Sequence, residues 1–155
     1  MSDLDRRRAV RDGGISAEAL LRRPVRLRGI KLGRPVELVL DREPLRAIGV
    51  EVLCGDEMRR FLPLGAARVR DDEIAVASAL LLLQEPDLSF YRRRGTTLSE
   101  LRGRQVERRG RELGALKDVV LDSSGTVSEL VVDGDTHVPV DPALRILEPG
   151  RVSAA

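Results

Sequence analysis

The sequence predicts an all-β protein made of two tandem small β-barrels, with short helices at the barrel starts and in the connector. The chain repeats itself, because residues 20–41 and 101–122 align without a gap and share 10 of 22 positions. Short apolar runs also alternate with Gly, Asp and Pro turn signals, which is typical of small barrels. The predicted boundaries are 1–14 for a disordered tail, 15–84 for the first barrel, 85–96 for the connector, 97–148 for the second barrel and 149–155 for a tail.

Each predicted barrel begins with a short helix. Residues 15–23 (ISAEALLRR) place Ser16 at an N-cap position, and Pro24 ends the helical run. Residues 97–102 (TLSELR) are the counterpart before the second barrel. Because a duplication preserves the fold, we expect both halves to have the same topology and to be related by an approximate two-fold axis.

Two glycines in each copy have predicted structural roles. Gly29 and Gly110 follow short extended segments, and we expect them to supply the positive φ of a tight turn. Gly33 and Gly114 lie inside strand-like runs, which indicates a bulge or a bend at a barrel corner. A strand ending in Val-Leu-Asp then follows in both copies.

The later part of each copy is a second hairpin with a proline in its return strand. Residues 122–125 (DSSG) are a strong turn signal before the strand at 127–133. The return strand carries Pro139 in one copy and Pro63 in the other, which marks an edge or a bulge. Residues 73–83 (EIAVASALLLL) are ambiguous between strand and helix, and we favour a closing strand with its end buried between the two domains.

This pattern, G-x-x-LG-x-x-x-x-VVLD, a turn, an alternating strand and an apolar-Pro-apolar strand, resembles the PRC-barrel domain. That domain is named after the photosynthetic reaction centre H subunit and also forms the C-terminal half of the small-subunit ribosome maturation factor. The resemblance covers about 120 residues and implies a small β-barrel that serves as an adaptor. The matching residues are Gly110, Leu113, Gly114, 119–122, 130–132 and Pro139, and in the first copy Gly29, Leu32, Gly33, 38–41, 48–50 and Pro63.

Residues that could perform catalysis or bind metal are scarce. His137 is the only histidine and Cys54 the only cysteine, and neither has a catalytic partner nearby in sequence. No Cys or His pair has metal-ligand spacing, and no phosphate-binding glycine motif occurs. The sequence therefore predicts a non-enzymatic protein with no metal and no cofactor.

The charge pattern and the aromatic content indicate a protein partner rather than nucleic acid. Residues 15–84 contain 12 basic and 10 acidic side chains, residues 96–148 contain 7 and 10, and aromatics are only 2% of the chain. The leading hypothesis is an adaptor that binds another protein, with a homodimer left open. The alternative is a factor linked to RNA metabolism or ribosome maturation, which would meet nucleic acid within a ribosomal complex.

The connector supplies the candidate binding residues. Tyr91 is followed by Arg92, Arg93 and Arg94 in one turn, and Tyr and Arg often carry binding energy at interfaces. The competing interpretation is that Phe90 and Tyr91 only fasten the connector at the seam between the barrels. The longest apolar run, 77–83, is too short to cross a bilayer, and no signal peptide begins the sequence, so we expect a cytoplasmic protein without membrane insertion. The sequence has 25 arginines and only two lysines, which is typical of a GC-rich genome, and we expect a bacterial protein.

Overall fold

The computed structural model describes residues 14–149 of the chain, which form two curled β-sheets and three short α-helices. The predicted tails lie outside the described residues, except Gly14 and Pro149. The elements in chain order are β1 Ile15–Ser16, α1 Ala17–Leu21, β2 Val25–Leu27, β3 Ile30–Arg42, β4 Leu45–Cys54, β5 Arg59–Pro63, β6 Ala67–Val69, β7 Ile74–Val76, α2 Glu85–Arg94, β8 Thr96–Thr97, α3 Leu98–Leu101, β9 Gln105–Arg108, β10 Arg111–Leu121, β11 Val127–Val132, β12 Thr136–Pro139 and β13 Leu144–Ile146. Three 3₁₀ turns lie at Leu64–Ala66, Ala79–Leu81 and Asp133–Asp135.

Each repeat builds one sheet. The first sheet has the order β5-β4-β3-β2-β7-β6, and β8 pairs with β3. The second has the order β12-β11-β10-β9-β13, and β1 pairs with β10. The expectation of a mostly β protein is confirmed, and helices lie before each repeat and in the connector.

After its start helix, each repeat forms the same two-residue hairpin. Arg28 (φ 47°) and Gly29 (φ 80°) join β2 to β3, and Arg109 (φ 52°) and Gly110 (φ 78°) join β9 to β10. Positive φ at both central residues defines the type I′ turn, whose twist matches that of the flanking strands. The predicted turn role of both glycines is confirmed.

The second glycine of each copy lies at a bulge, as expected. The register shifts by one residue at Gly33, opposite Val25, and at Gly114, opposite Val106. Gly114 has a φ of 128°, which a residue with a Cβ rarely adopts. A Cβ on Gly33 would lie only 2.5 Å from the carbonyl oxygen of Leu53. Both positions therefore require glycine, for different reasons.

The start segment of each repeat pairs with the sheet of the other repeat. β1 adds to the end of β10, and β8 adds to the end of β3, at equivalent positions of the repeat. This reciprocal exchange is the pattern that a two-fold arrangement of two copies produces. The register partners are Ile15 with Leu121, Ser16 with Val120, Thr96 with Leu40 and Thr97 with Val39.

A carboxylate of the other repeat binds the helix that follows each of the exchanged strands β1 and β8. The backbone N–H of Glu18 donates to Asp118 Oδ2 at 3.3 Å, and the N–H of Ser99 donates to Glu37 Oε1 at 3.2 Å. Asp118 and Glu37 occupy equivalent positions in the two copies. Burial raises the pKa of the Asp118 carboxyl, while hydrogen bonds from the N–H groups of Val119 and Glu18 act in the opposite direction.

The two repeats share one hydrophobic core. Leu20, Leu38 and Val50 from the first repeat and Leu116 and Leu130 from the second are all buried in the same cluster. Side chains of one repeat therefore cover apolar surface of the other. This matters because a repeat of roughly 60 residues buries too little surface to be very stable alone.

The repeats differ in how their sheets close. β13 pairs antiparallel with β9, whereas in the first repeat β7 inserts parallel to β2, with β6 outside it. The expectation of one shared topology therefore fails at the closing strand. The predicted strand over 73–83 is also wrong beyond Val76, because the Ser78 hydroxyl accepts the Leu80 N–H at 3.1 Å and starts a 3₁₀ turn that leaves Leu80 88% exposed.

Candidate functional site

The connector helix α2 packs on the outer face of the first sheet. Leu88 is fully buried there in a small cluster with Val39 and Phe61, and Tyr91 packs against that cluster. The rings of Tyr91 and Phe61 are stacked, with centroids 4.3 Å apart and an interplanar angle of 18°. Leu88 and Tyr91 are three residues apart, so they lie on the same side of the helix and define its inner face.

A partly buried ion pair adds a second attachment for α2. Glu51 lies on β4, is 1% exposed, and accepts a bidentate pair of hydrogen bonds from the Arg92 guanidinium. The Arg92 Nε to Glu51 Oε2 distance is 2.9 Å. Arg59 lies farther away, with its Nη1 3.7 Å from Glu51 Oε1. A buried carboxylate requires such partners, so Arg92 holds the end of α2 against the sheet.

The opposite side of α2 faces solvent. Phe90 is 50% exposed, and its ring meets Tyr91 edge-on at 5.3 Å between centroids. Arg93 and Arg94 follow three and four residues later, so they lie on the same side as Phe90, and both are exposed. We call Phe90, Arg93 and Arg94 the outer face of α2. It presents one aromatic ring beside two guanidinium groups.

The structure therefore divides the predicted binding residues into two pairs. Tyr91 and Arg92 point to the first sheet, while Arg93 and Arg94 point to solvent. The main contacts of α2 are with β3 and β5 of the first sheet and with β8, the start segment of the second repeat. The sequence pattern did not identify Glu51 as a functional residue. Its one unusual feature is that it is a single charged residue inside the apolar run of β4.

Cys54 and His137 take no part in the contacts described for α2. Cys54 is buried, and its Sγ lies 3.8 Å from the carbonyl oxygen of Val52. His137 is about half exposed, with its Nδ1 3.8 Å from Glu129 Oε2. Among the side chains that the structure describes within residues 14–149, no three His, Cys, Asp or Glu residues group as metal ligands would. The helices of the described part are all too short or too polar to cross a bilayer.

The pKa of one exposed carboxylate, Asp56, is set by its pairing with a neighbouring arginine. Asp56, in the turn after β4, accepts two hydrogen bonds from the Arg60 guanidinium at 2.9 and 2.7 Å and one from the Met58 N–H. The bond from Arg60 is the main reason that the pKa of Asp56 falls to about 2. Asp56 therefore stays ionised, and its charge is neutralised locally.

No family model matches the chain, and no curated protein matches it significantly.

Proposed function

We propose that this protein is a non-enzymatic adaptor made of two PRC-like repeats, which binds another protein through the outer face of α2. The PRC-like repeats and a cytoplasmic location rest on the sequence, and both remain part of the proposal. The fold supports an adaptor because the exchanged segments and the common core fix the position of the two sheets. A fixed scaffold can present a binding surface without rearrangement.

The observation that carries this proposal is the exposed ring of Phe90 beside Arg93 and Arg94. The chain has only three aromatic residues, and two of them, Phe61 and Tyr91, are used to attach α2. The third, Phe90, is half exposed on a helix that is attached to the sheet, so covering its ring with a partner would gain hydrophobic free energy. Aromatic and Arg side chains are enriched at the centres of protein interfaces.

The test separates binding from fastening. A Phe90→Ser, Arg93→Ser, Arg94→Ser variant should keep the melting temperature within a few degrees, because none of these residues is buried. It should lose capture of the native partner from cell extract, or self-association if the partner is a second copy. Intact capture, or a large fall in melting temperature, would contradict the proposal. The role of α2 would then be only to attach the connector to the first sheet.

The same experiment tests the RNA-linked alternative. If the adaptor proposal is correct, capture by the wild-type protein survives ribonuclease treatment. Capture that is lost with ribonuclease, together with direct RNA binding that weakens steeply with salt, would favour the alternative, because phosphate contacts release counterions.

A further inference from the structure

Three cations lie in one row across the first sheet, away from α2. Lys31 on β3 pairs with Arg26 on β2, Arg26 pairs with Ala75 on β7, and Ala75 pairs with Arg68 on β6. Register partners on neighbouring strands point to the same face of a sheet. With neighbouring strands about 4.8 Å apart, the row spans roughly 14 Å. We call Lys31, Arg26 and Arg68 the cation row.

The cation row has no counter-charge among the described side chains of residues 14–149. None of the carboxylates described there lies within 4.0 Å of any of its three side chains. Lys31 and Arg26 are like charges directly opposite each other, a pairing that destabilises a sheet. The row therefore costs stability in the isolated chain, and an anionic ligand would remove that cost.

The second repeat shows that the fold does not need these cations. The positions equivalent to Arg26 and Lys31 are Glu107 and Glu112, which form the same cross-strand pair in the same type I′ hairpin. The hairpin thus accepts either sign of charge. Since folding does not dictate the cations of the first repeat, their charge is available for binding.

An open groove lies beside the row. Its volume is about 440 Å³, and it is lined by Arg68 and Arg70 and by small apolar residues that include Ala75. Ala75 lies between Arg26 and Arg68 in the register and also lines the groove, so the groove reaches the middle of the row. Arginine suits such a site because its planar guanidinium binds carboxylates in a bidentate manner.

We propose that the cation row and its groove bind a short, extended acidic segment of a protein partner. A row of roughly 14 Å matches about four residues of extended chain. A long polyanion fits less well, because the exposed Asp71 and Asp72 in the β6–β7 turn would repel it beside Arg70. Nucleic acid would also find no stacking surface, because the three aromatic residues all lie on β5 and α2. This surface is separate from the outer face of α2.

The test uses the full chain and fluorescein-labelled hexaglutamate, followed by fluorescence anisotropy at about 20 mM and about 200 mM salt. Arg26→Glu with Lys31→Glu is the main variant, since it introduces the residues that the second repeat holds at these positions. Arg93→Glu with Arg94→Glu is the control, because it makes the same charge change on α2. Arg68→Gln tests the row on a different strand.

We expect the main variant to weaken hexaglutamate binding by at least about tenfold, which is 1.4 kcal/mol, and the control by less than about twofold. Arg68→Gln should also weaken binding, and the melting temperature should not fall in either row variant. Equal weakening in the main variant and the control would overturn the proposal, since net charge alone would explain it. Tighter binding of hexauridylate than of hexaglutamate, or no detectable binding of hexaglutamate at low salt, would also overturn it.

Discussion

Replacing Arg92 with Gln should loosen α2 from the first sheet and destabilise the protein. The change leaves the Glu51 carboxylate, whose side chain is 2% exposed, without its bidentate partner. Removing one partner of a fully buried ion pair costs about 3–5 kcal/mol. The Arg92 side chain is 40% exposed and Arg59 remains 3.7 Å from Glu51, so we expect a smaller loss, about 2 kcal/mol in the free energy of unfolding.

Urea denaturation would measure this loss, and thermal unfolding should show a decrease of roughly 4–8 °C. Arg93→Gln is the matched control, because it makes the same chemical change one residue away on the exposed side of α2. It should change the unfolding free energy by less than about 0.5 kcal/mol. Adding Glu51→Gln to Arg92→Gln should recover part of the loss, since it removes the unpaired charge. Equal effects of the two arginine replacements would refute the fastening role of Arg92.

Three further predictions follow from the fold. Gly114→Ala should cost about 1–3 kcal/mol in urea denaturation because of its φ of 128°, whereas Gly65→Ala, with a negative φ and open space, should be nearly neutral. Arg60→Gln should raise the pKa of Asp56 from about 2 toward 3.8 in an NMR titration. Because the pKa of Asp56 in the folded protein lies below its ordinary value, the pairing with Arg60 stabilises the wild-type fold above pH about 4. That stabilisation is lost as the pH falls toward 2. Ser16→Ala should cost about 1 kcal/mol, because Ser16 Oγ accepts the Ala19 N–H at 3.1 Å as the N-cap of α1, and circular dichroism melting would show no loss if that cap is unimportant.

The sequence predicted features that depend on neighbouring residues. The hairpin glycines Gly29 and Gly110 and the bulge glycines Gly33 and Gly114 were identified because a tight turn or a bulge is encoded within a few residues. The repeat then doubled the evidence for each of them. The start helix α1 was predicted for the same reason, since its N-cap is local.

Features that depend on distant pairing were missed. The exchange of β1 and β8 rests on strands of two residues each, which have no periodicity to detect. The cation row exists only because the parallel β7 brings Arg68 into line with Arg26, and the sequence does not specify that register. The division of the Tyr91–Arg94 run between sheet and solvent likewise required knowledge of Glu51, 41 residues before Arg92 in the chain.

Site-specific photocrosslinking tests most directly whether the outer face of α2 binds a protein. A benzophenone amino acid would replace Phe90 in one sample and Val140, an exposed apolar residue of the second repeat, in another. On irradiation in the native cell, we expect a defined protein adduct from position 90 that disappears when Arg93 and Arg94 are also changed to Ser, and none from position 140. No adduct at position 90, or equal adducts at both positions, would contradict the proposed binding surface.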